Sequence, residues 1–172
     1  VWKDAPYSYG WLLQEVRRWG QRLSSEGVKS GAVTVLDADF SPNAIALFLA
    51  LVEHGCIVLP IVRSVGEKKD EFIQIAQGEI RFTVDEEDNV RTSKLPHSAS
   101  HDLYGQLRRS GHPGLVLFSS GSTGKSKGVV HDMVRLLQNF KASNKSLRTI
   151  AFMLFDHIGG IHSMLQTFSN GG

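Results

Sequence analysis

Apolar positions recur at helical spacing over residues 8–26. Leu12, Val16, Trp19 and Leu23 fall on one stripe, while Gln14, Arg17, Arg18 and Gln21 face away. Ser8 stands where a hydroxyl can cap the first turn, and Gly27 ends the helix. The pattern then changes. Residues 32–38, Ala-Val-Thr-Val-Leu-Asp-Ala, read as a strand partly buried on both faces. Ser41-Pro42 starts a second helix, a capping hydroxyl followed by proline at the first helical position. Ile45, Phe48, Leu49 and Val52 make that helix apolar over much of its circumference, which predicts packing between other layers, and it stops at Gly55. Cys56-Ile57-Val58-Leu59 is a short apolar strand closed by Pro60.

A helix over 66–76 and a strand over 79–84 follow. Asp85-Glu86-Glu87-Asp88-Asn89 reads as an exposed acidic turn. Residues 91–101 are polar and poor in pattern, the best linker candidate, and a short helix spans 102–109. Residues 115–118 are a buried strand. A helix over 132–141, a strand over 149–154 and a helix over 161–168 complete the series. Strands alternating with helices predict an α/β fold, a mostly parallel sheet flanked by helices. The expected organisation is a first α/β subregion over 1–90, a linker and short helix over 91–113, and a second α/β subregion over 114–172.

Composition narrows the function classes. The 172 residues are 41% hydrophobic and 21% charged, ordinary for a globular protein. A net charge of +2 offers no broad surface for tracking a nucleic-acid backbone. The longest apolar run, residues 44–52, is far too short to cross a bilayer. The single cysteine, Cys56, excludes an internal disulfide and fits a reducing compartment, so the cytoplasm is the expected location. Cys56 itself reads as core filling. His97 and His101 are four apart beside Pro96, His157 and His162 are five apart, and no cysteine stands at zinc spacing, so no metal site is predicted.

The candidate chemistry lies in Ser119-Ser120-Gly121-Ser122-Thr123-Gly124-Lys125-Ser126-Lys127-Gly128, directly after a buried strand. Small residues let backbone approach an anion, and successive amides in such a turn can form a concavity for phosphate oxygens. Ser119, Ser120, Ser122 and Thr123 add hydroxyl donors, and Lys125 and Lys127 add positive charge. Gly124-Lys125-Ser126 partly matches the P-loop pattern G-x-x-x-x-G-K-[ST]. That match fails at its first glycine, where Ser119 stands, and Gly128-Val129-Val130 leaves no helix starting at Lys125.

The same ten residues resemble the phosphate loop of the adenylate-forming (AMP-binding) ligases, the superfamily of acyl-CoA synthetases, aryl-CoA ligases, luciferases and peptide-synthetase adenylation domains. Its pattern is roughly [ST]-S-G-[ST]-T-G-x-P-K-G, and nine of the ten positions fit, with Ser126 in place of proline. The segments Tyr9-Gly10-Trp11-Leu12 to Val33, and Asn43 to Pro60, are similar to the family's opening helix, strand, helix and strand. Phe155-Asp156-His157-Ile158-Gly159-Gly160 is similar to its aromatic/His segment beside the acyl pocket.

The resemblance implies the incomplete N-terminal part of the family's large domain. It implies ATP-dependent activation of a carboxylic acid as acyl-AMP, with Mg²⁺, then transfer to the thiol of coenzyme A or of a carrier-protein arm. By resemblance Lys127 and His157 are catalytic. Ser119, Ser120, Gly121, Ser122, Thr123, Gly124, Lys125 and Lys127 hold the phosphates. His157 favours an acyl- or aryl-CoA ligase over a peptide-synthetase domain. The adenine, ribose, metal and C-terminal lysine sites are expected beyond Gly172, so the 172 residues alone are expected to show little ligase activity. Two other classes stay open: a divergent P-loop NTPase and a non-catalytic nucleotide-binding domain.

Overall fold

The computed structural model describes residues 1–120, 126–141, 145–146 and 149–172. Helix α1 (Tyr9–Ser25) starts where the sequence predicts. The Ser8 side chain accepts a hydrogen bond from the Trp11 N–H at 3.1 Å, and Val16, Trp19 and Leu23 are its buried stripe. Helix α2 (Pro42–Glu53) is capped in the same way by Ser41, with proline in the first turn. Leu47, Phe48 and Leu51 on α2 are fully buried. Each such side chain contributes about 1.5–3 kcal/mol, so packing rather than helix propensity holds α2. α2 lies between α1 and the sheet, as its apolar circumference requires.

The described strands form one mixed sheet in the order β4-β3-β1-β2-β5-β6. They are β1 (Val33–Asp37), β2 (Ile57–Ile61), β3 (Ile80–Val84), β4 (Val90–Lys94), β5 (Gly114–Ser120) and β6 (Ser126–Asp132). β3, β1, β2 and β5 run parallel, and the edge strands β4 and β6 are antiparallel. On one face Leu36, Val58, Leu115 and Leu117 pack with α1, α2 and the last helix, α6 (Ile158–Ser169). On the other, Val33, Val35, Ile57, Leu59 and Val116 pack with α3 (Lys69–Ile75) and α4 (Asp102–Ser110). A short α5 (Met133–Gln138) follows β6 and anchors Met133 in the first of these clusters.

Four sequence expectations are corrected. Residues 91–94, expected at the start of a linker, belong to edge strand β4, paired with β3. Period-2 burial was invisible there because β4 is mostly exposed. Residues 149–154 do not form a strand. Ile150 and Phe152 are 83% and 81% exposed, and no described strand pairs with this segment. Asp88 is buried rather than exposed, although its neighbours Glu86 and Glu87 are exposed. It accepts from the Ser41 hydroxyl at 2.5 Å and from the Asn43 N–H at 3.0 Å, so the acidic turn closes the N-terminus of α2 from 47 residues away.

Pro60, expected to end a strand, sits inside β2. The odd residues of β2 bond towards β1, as Ile57 N–H to Ala32 and Ile61 C=O to Ala38 show, and Cys56 C=O bonds towards β5. The missing N–H of Pro60 therefore faces β5, and the β2–β5 pairing runs only through Val58↔Leu115. Beyond that point β2 and β5 part, and a crevice opens at the carboxyl end of the sheet.

Candidate functional site

The crevice occupies the position where parallel α/β sheets carry their ligands, outside the carboxyl ends of the strands. It is a cavity of about 200 Å³ lined by Pro60, Lys68, Phe72, Phe118, Ser119, Ser126, Asp156 and His157. Its floor is a pair of flat aromatic rings. Phe72 of α3 stacks on Phe118 of β5 with 4.0 Å between centroids and 4° between planes.

β5 and β6 form an antiparallel hairpin that rises from this floor. Ser119 stands opposite Lys127 and Ser120 opposite Ser126. The hairpin explains why no helix follows the glycine-rich loop: Gly128, Val129 and Val130 belong to β6. Gly121, Ser122, Thr123, Gly124 and Lys125 lie outside the described residues, as does the side chain of Ser120. Among the predicted site residues the structure brings Ser119 and His157 to one cavity, and Ser126 joins them. Lys127 is exposed and does not line that cavity. Strand alternation sets it on the hairpin face of Ser119 and Leu117, the face whose core is shared with α6.

His157 stands immediately before α6, and its N–H bonds to the Leu154 carbonyl at 3.3 Å. The two glycines after Ile158 make this approach possible. A Cβ on Gly160 would lie 2.0 Å from the Leu154 carbonyl oxygen, and one on Gly159 would lie 2.2 Å from the Met153 methyl. Backbone cannot give way as a side chain can, so position 160 requires glycine. Phe155 fixes the segment from below, buried against Phe40 at 4.4 Å and Phe48 at 5.4 Å.

Asp156 is the residue that sequence reasoning underrated. Its side chain is only 13% exposed, and its Oδ1, 3.4 Å from His157 Nδ1, has no hydrogen-bond partner among the described residues. Burial raises its pKa above the usual carboxylate range. The nearby His157 and the backbone amides of Asp156 and Val62 offset this only in part, and Asp39 adds to it. An under-satisfied carboxylate in a cleft marks a site for a donor or a cation. The sequence signal was its place between Phe155 and His157. Lys68 also went unremarked, because it lies in a charged run, Glu67-Lys68-Lys69-Asp70, that reads as a solvated helix face.

Three histidines away from this cavity have structural partners. His97 Nδ1 lies 3.0 Å from the Gly78 carbonyl oxygen, His101 accepts from the Leu103 N–H, and His112 Nδ1 meets Asp132 Oδ2 at 2.8 Å.

The family model for AMP-binding enzymes matches residues 1–172. The chain belongs to the AMP-binding enzyme family. Curated relatives include the hybrid PKS-NRPS synthetase xenE of Xenoacremonium sinensis, 26% identical over 96% of this chain and 4% of that protein. The nonribosomal peptide synthetase penN of Penicillium thymicola is 27% identical over 74% of this chain and 5% of its own length. The chain thus spans a small fraction of the relatives it matches.

Among solved structures, the Klebsiella oxytoca NpsA N-terminal subdomain in complex with 3-hydroxyanthranilyl-AMSN superposes with a TM-score of 0.75 at 16% identity, over 99% of this chain and 46% of that one. The inhibitor-bound N-terminal domain of FACL13 from Mycobacterium tuberculosis gives 0.68 at 17%, over 98% and 49%. At these identities the structures establish the fold: the mixed sheet with helices on both faces is the N-terminal portion of the AMP-binding fold. No helix among the described residues is long and apolar enough to cross a membrane.

Proposed function

We propose that the protein containing this chain activates a carboxylic acid with ATP, forming an acyl-adenylate and releasing pyrophosphate. A carboxylate oxygen attacks the α-phosphorus, and the bond from that phosphorus to the pyrophosphate oxygen breaks. Such a reaction needs alignment and charge neutralisation more than covalent participation by the protein. The observation that carries the reading is the shared cavity: the base of the Ser/Gly/Lys hairpin, Ser119 and Ser126, faces Asp156 and His157 across one crevice. In this reading Ser119 to Lys125 surround the β- and γ-phosphates, Lys127 offsets charge growing on pyrophosphate, and His157 borders the acyl group.

The cavity has hydroxyl and ammonium donors suited to a polyphosphate tail. Mg²⁺ fits only as a passenger of that tail. Among the described residues no three His, Cys, Asp or Glu side chains converge, whereas one carboxylate, Asp156, has an oxygen without a hydrogen bond that could approach a phosphate-bound ion.

The activated acyl group then passes to a thiol. His157 supports coenzyme A as acceptor, the acyl- or aryl-CoA ligase reading. A second reading, a carrier-protein arm, is supported by relatives named as peptide synthetases. Here the orphaned Asp156 oxygen would accept from the ammonium group of an amino-acid substrate.

The test is carboxylate-dependent exchange of labelled pyrophosphate into ATP by the full-length protein, over a panel of amino acids, aryl acids and fatty acids. Exchange with one class supports adenylation and names the substrate. Release of inorganic phosphate without any carboxylate would replace this reading by a P-loop-type hydrolase.

A further inference from the structure

We propose that Lys68 is a further phosphate-binding residue of this site, supplied by the residue immediately before α3 rather than by the glycine-rich loop; the proposal rests on the adenylation reading. Lys68 and Phe72 are one turn apart and share a helix face. Phe72 is fixed flat on Phe118 of β5. α3 leads from the carboxyl end of β2 to the amino end of β3, and these strands run parallel through β1, so the helix runs against them. One turn back from Phe72 is therefore a step towards the carboxyl end of β5. A helical turn covers about 5.4 Å, and two strand residues cover about 6.6 Å. Lys68 is thereby brought level with the residues just beyond Phe118, and its side chain lines the cavity with Ser119 and Ser126.

The neighbouring lysine shows that this direction is set rather than free. Lys69 is bound to Asp37 at the end of β1, Nζ to Oδ1 at 2.7 Å, and Arg81 bonds the other oxygen of the same carboxylate. Asp37 is buried, so this ion pair clamps the first turn of α3 to the sheet. Gly66, at φ 61° and ψ −129°, supplies the reversal that lets the chain leave β2 and enter α3 at this angle. With Lys69 held on β1, Lys68 is turned towards the hairpin. It makes no ion pair or hydrogen bond among the described residues, and it is the only Lys or Arg among the cavity's described lining. A cation without a partner beside two serine positions at the mouth of an anion-suited hairpin is matched by a phosphate oxygen.

The test uses the full-length protein and measures pyrophosphate binding, the KM for ATP and the KM for the thiol acceptor. Lys68→Ala is expected to weaken pyrophosphate and raise the ATP KM by roughly 10-fold or more, the effect of losing one hydrogen bond to a charged group. Lys68→Arg is expected to restore most of it, with the thiol KM and the melting temperature unchanged, because the exposed side chain makes no ion pair or hydrogen bond among the described residues. Unchanged pyrophosphate binding in Lys68→Ala, or a change confined to the thiol KM, overturns the assignment while leaving adenylation standing. Absence of saturable pyrophosphate and ATP binding in the unaltered protein removes the adenylation reading itself.

Discussion

Phe72 and Phe118 lie face to face, 4.0 Å between centroids and with almost parallel planes, and this contact joins α3 to the strand that leads into the glycine-rich loop. Both rings are half-buried, so the pair borders the cavity while closing the second core cluster. Phe72→Ala is expected to destabilise the protein by about 2 kcal/mol, below the usual cost of removing a fully buried ring, while Phe72→Leu keeps most of the stability. Urea unfolding of both variants checks this. Equal midpoints for Phe72→Ala and the unaltered protein would show that the stack carries no packing energy.

Asp156 should be a residue that costs stability in the empty site. Its pKa is raised above the ordinary value by burial, so the folded state binds its proton more tightly than the unfolded chain. The sign follows. The contribution of Asp156 is most favourable below the ordinary carboxylate pKa of about 3.9 and is lost as pH rises through the folded value. Asp156→Asn is therefore expected to raise the melting temperature at pH 7, and the gain is expected to shrink towards zero on acidification. Melting curves of both proteins between pH 3 and pH 8 decide it; a gain independent of pH would rule out the charge as its cause.

Much of this was legible in the sequence, and the misses share a physical reason. The stripe on α1, the Ser8 and Ser41 caps and the absence of a helix at Gly128-Val129-Val130 are local signals, set by residues within one or two turns. Asp88 is buried by a cap whose partner, Ser41, is 47 residues away, and nothing in an acidic run announces that. Residues 149–154 carry a strand's alternation, but pairing is decided by a neighbour and not by the pattern. Pro60 reads locally as a strand end, whereas the register shows that its absent N–H faces the one side of β2 already opening. At the site, the serines and His157 were visible as residue types. Lys68 and Asp156 became visible only when α3 and the turn before α6 were seen against the hairpin.

Asp132 should govern part of the acid sensitivity of the hairpin's far end. It closes β6 and caps α5, accepting from the Val134 and Arg135 N–H groups at 2.9 and 3.2 Å, with His112 Nδ1 at 2.8 Å from its other oxygen. Desolvation pushes its pKa up, but the His112 contact and the amides outweigh that and leave it below the ordinary value. A depressed carboxylate stabilises above the unfolded pKa of about 3.9, and that stability is lost as pH falls through the folded value. Asp132→Asn keeps a capping oxygen and removes the titration, so its stability is expected to fall less steeply below pH ~4. Asp132→Ala loses the cap as well, at about 1 kcal/mol at neutral pH. Parallel acid titrations by circular dichroism would refute this, if all three proteins gave the same slope.

Cys56 should behave as an inert core atom. It is fully buried immediately before β2, and burial pushes its thiol pKa up to about 12. The thiolate is the reactive form, so native protein at pH 8 is expected to resist a thiol-labelling reagent and to react with one equivalent on unfolding. Rapid labelling of the folded protein would mean that the β2 end of the core opens on the labelling timescale.

Lys127 separates the role of the hairpin from its fold. It stands opposite Ser119, exposed and without an ion pair among the described residues, so its removal should leave stability within about 0.5 kcal/mol. If it offsets the charge that grows on departing pyrophosphate, Lys127→Ala in the full-length protein is expected to cut pyrophosphate–ATP exchange at least ~10-fold, equivalent to about 1.4 kcal/mol of transition-state stabilisation. The split between constants is informative. A lysine acting mainly on the developing charge lowers kcat, whereas one that only holds the ground-state phosphates raises the ATP KM, as expected for Lys68. Unchanged exchange in Lys127→Ala would take Lys127 out of the reaction and leave the cavity's own cation, Lys68, as the described candidate for the phosphate charge.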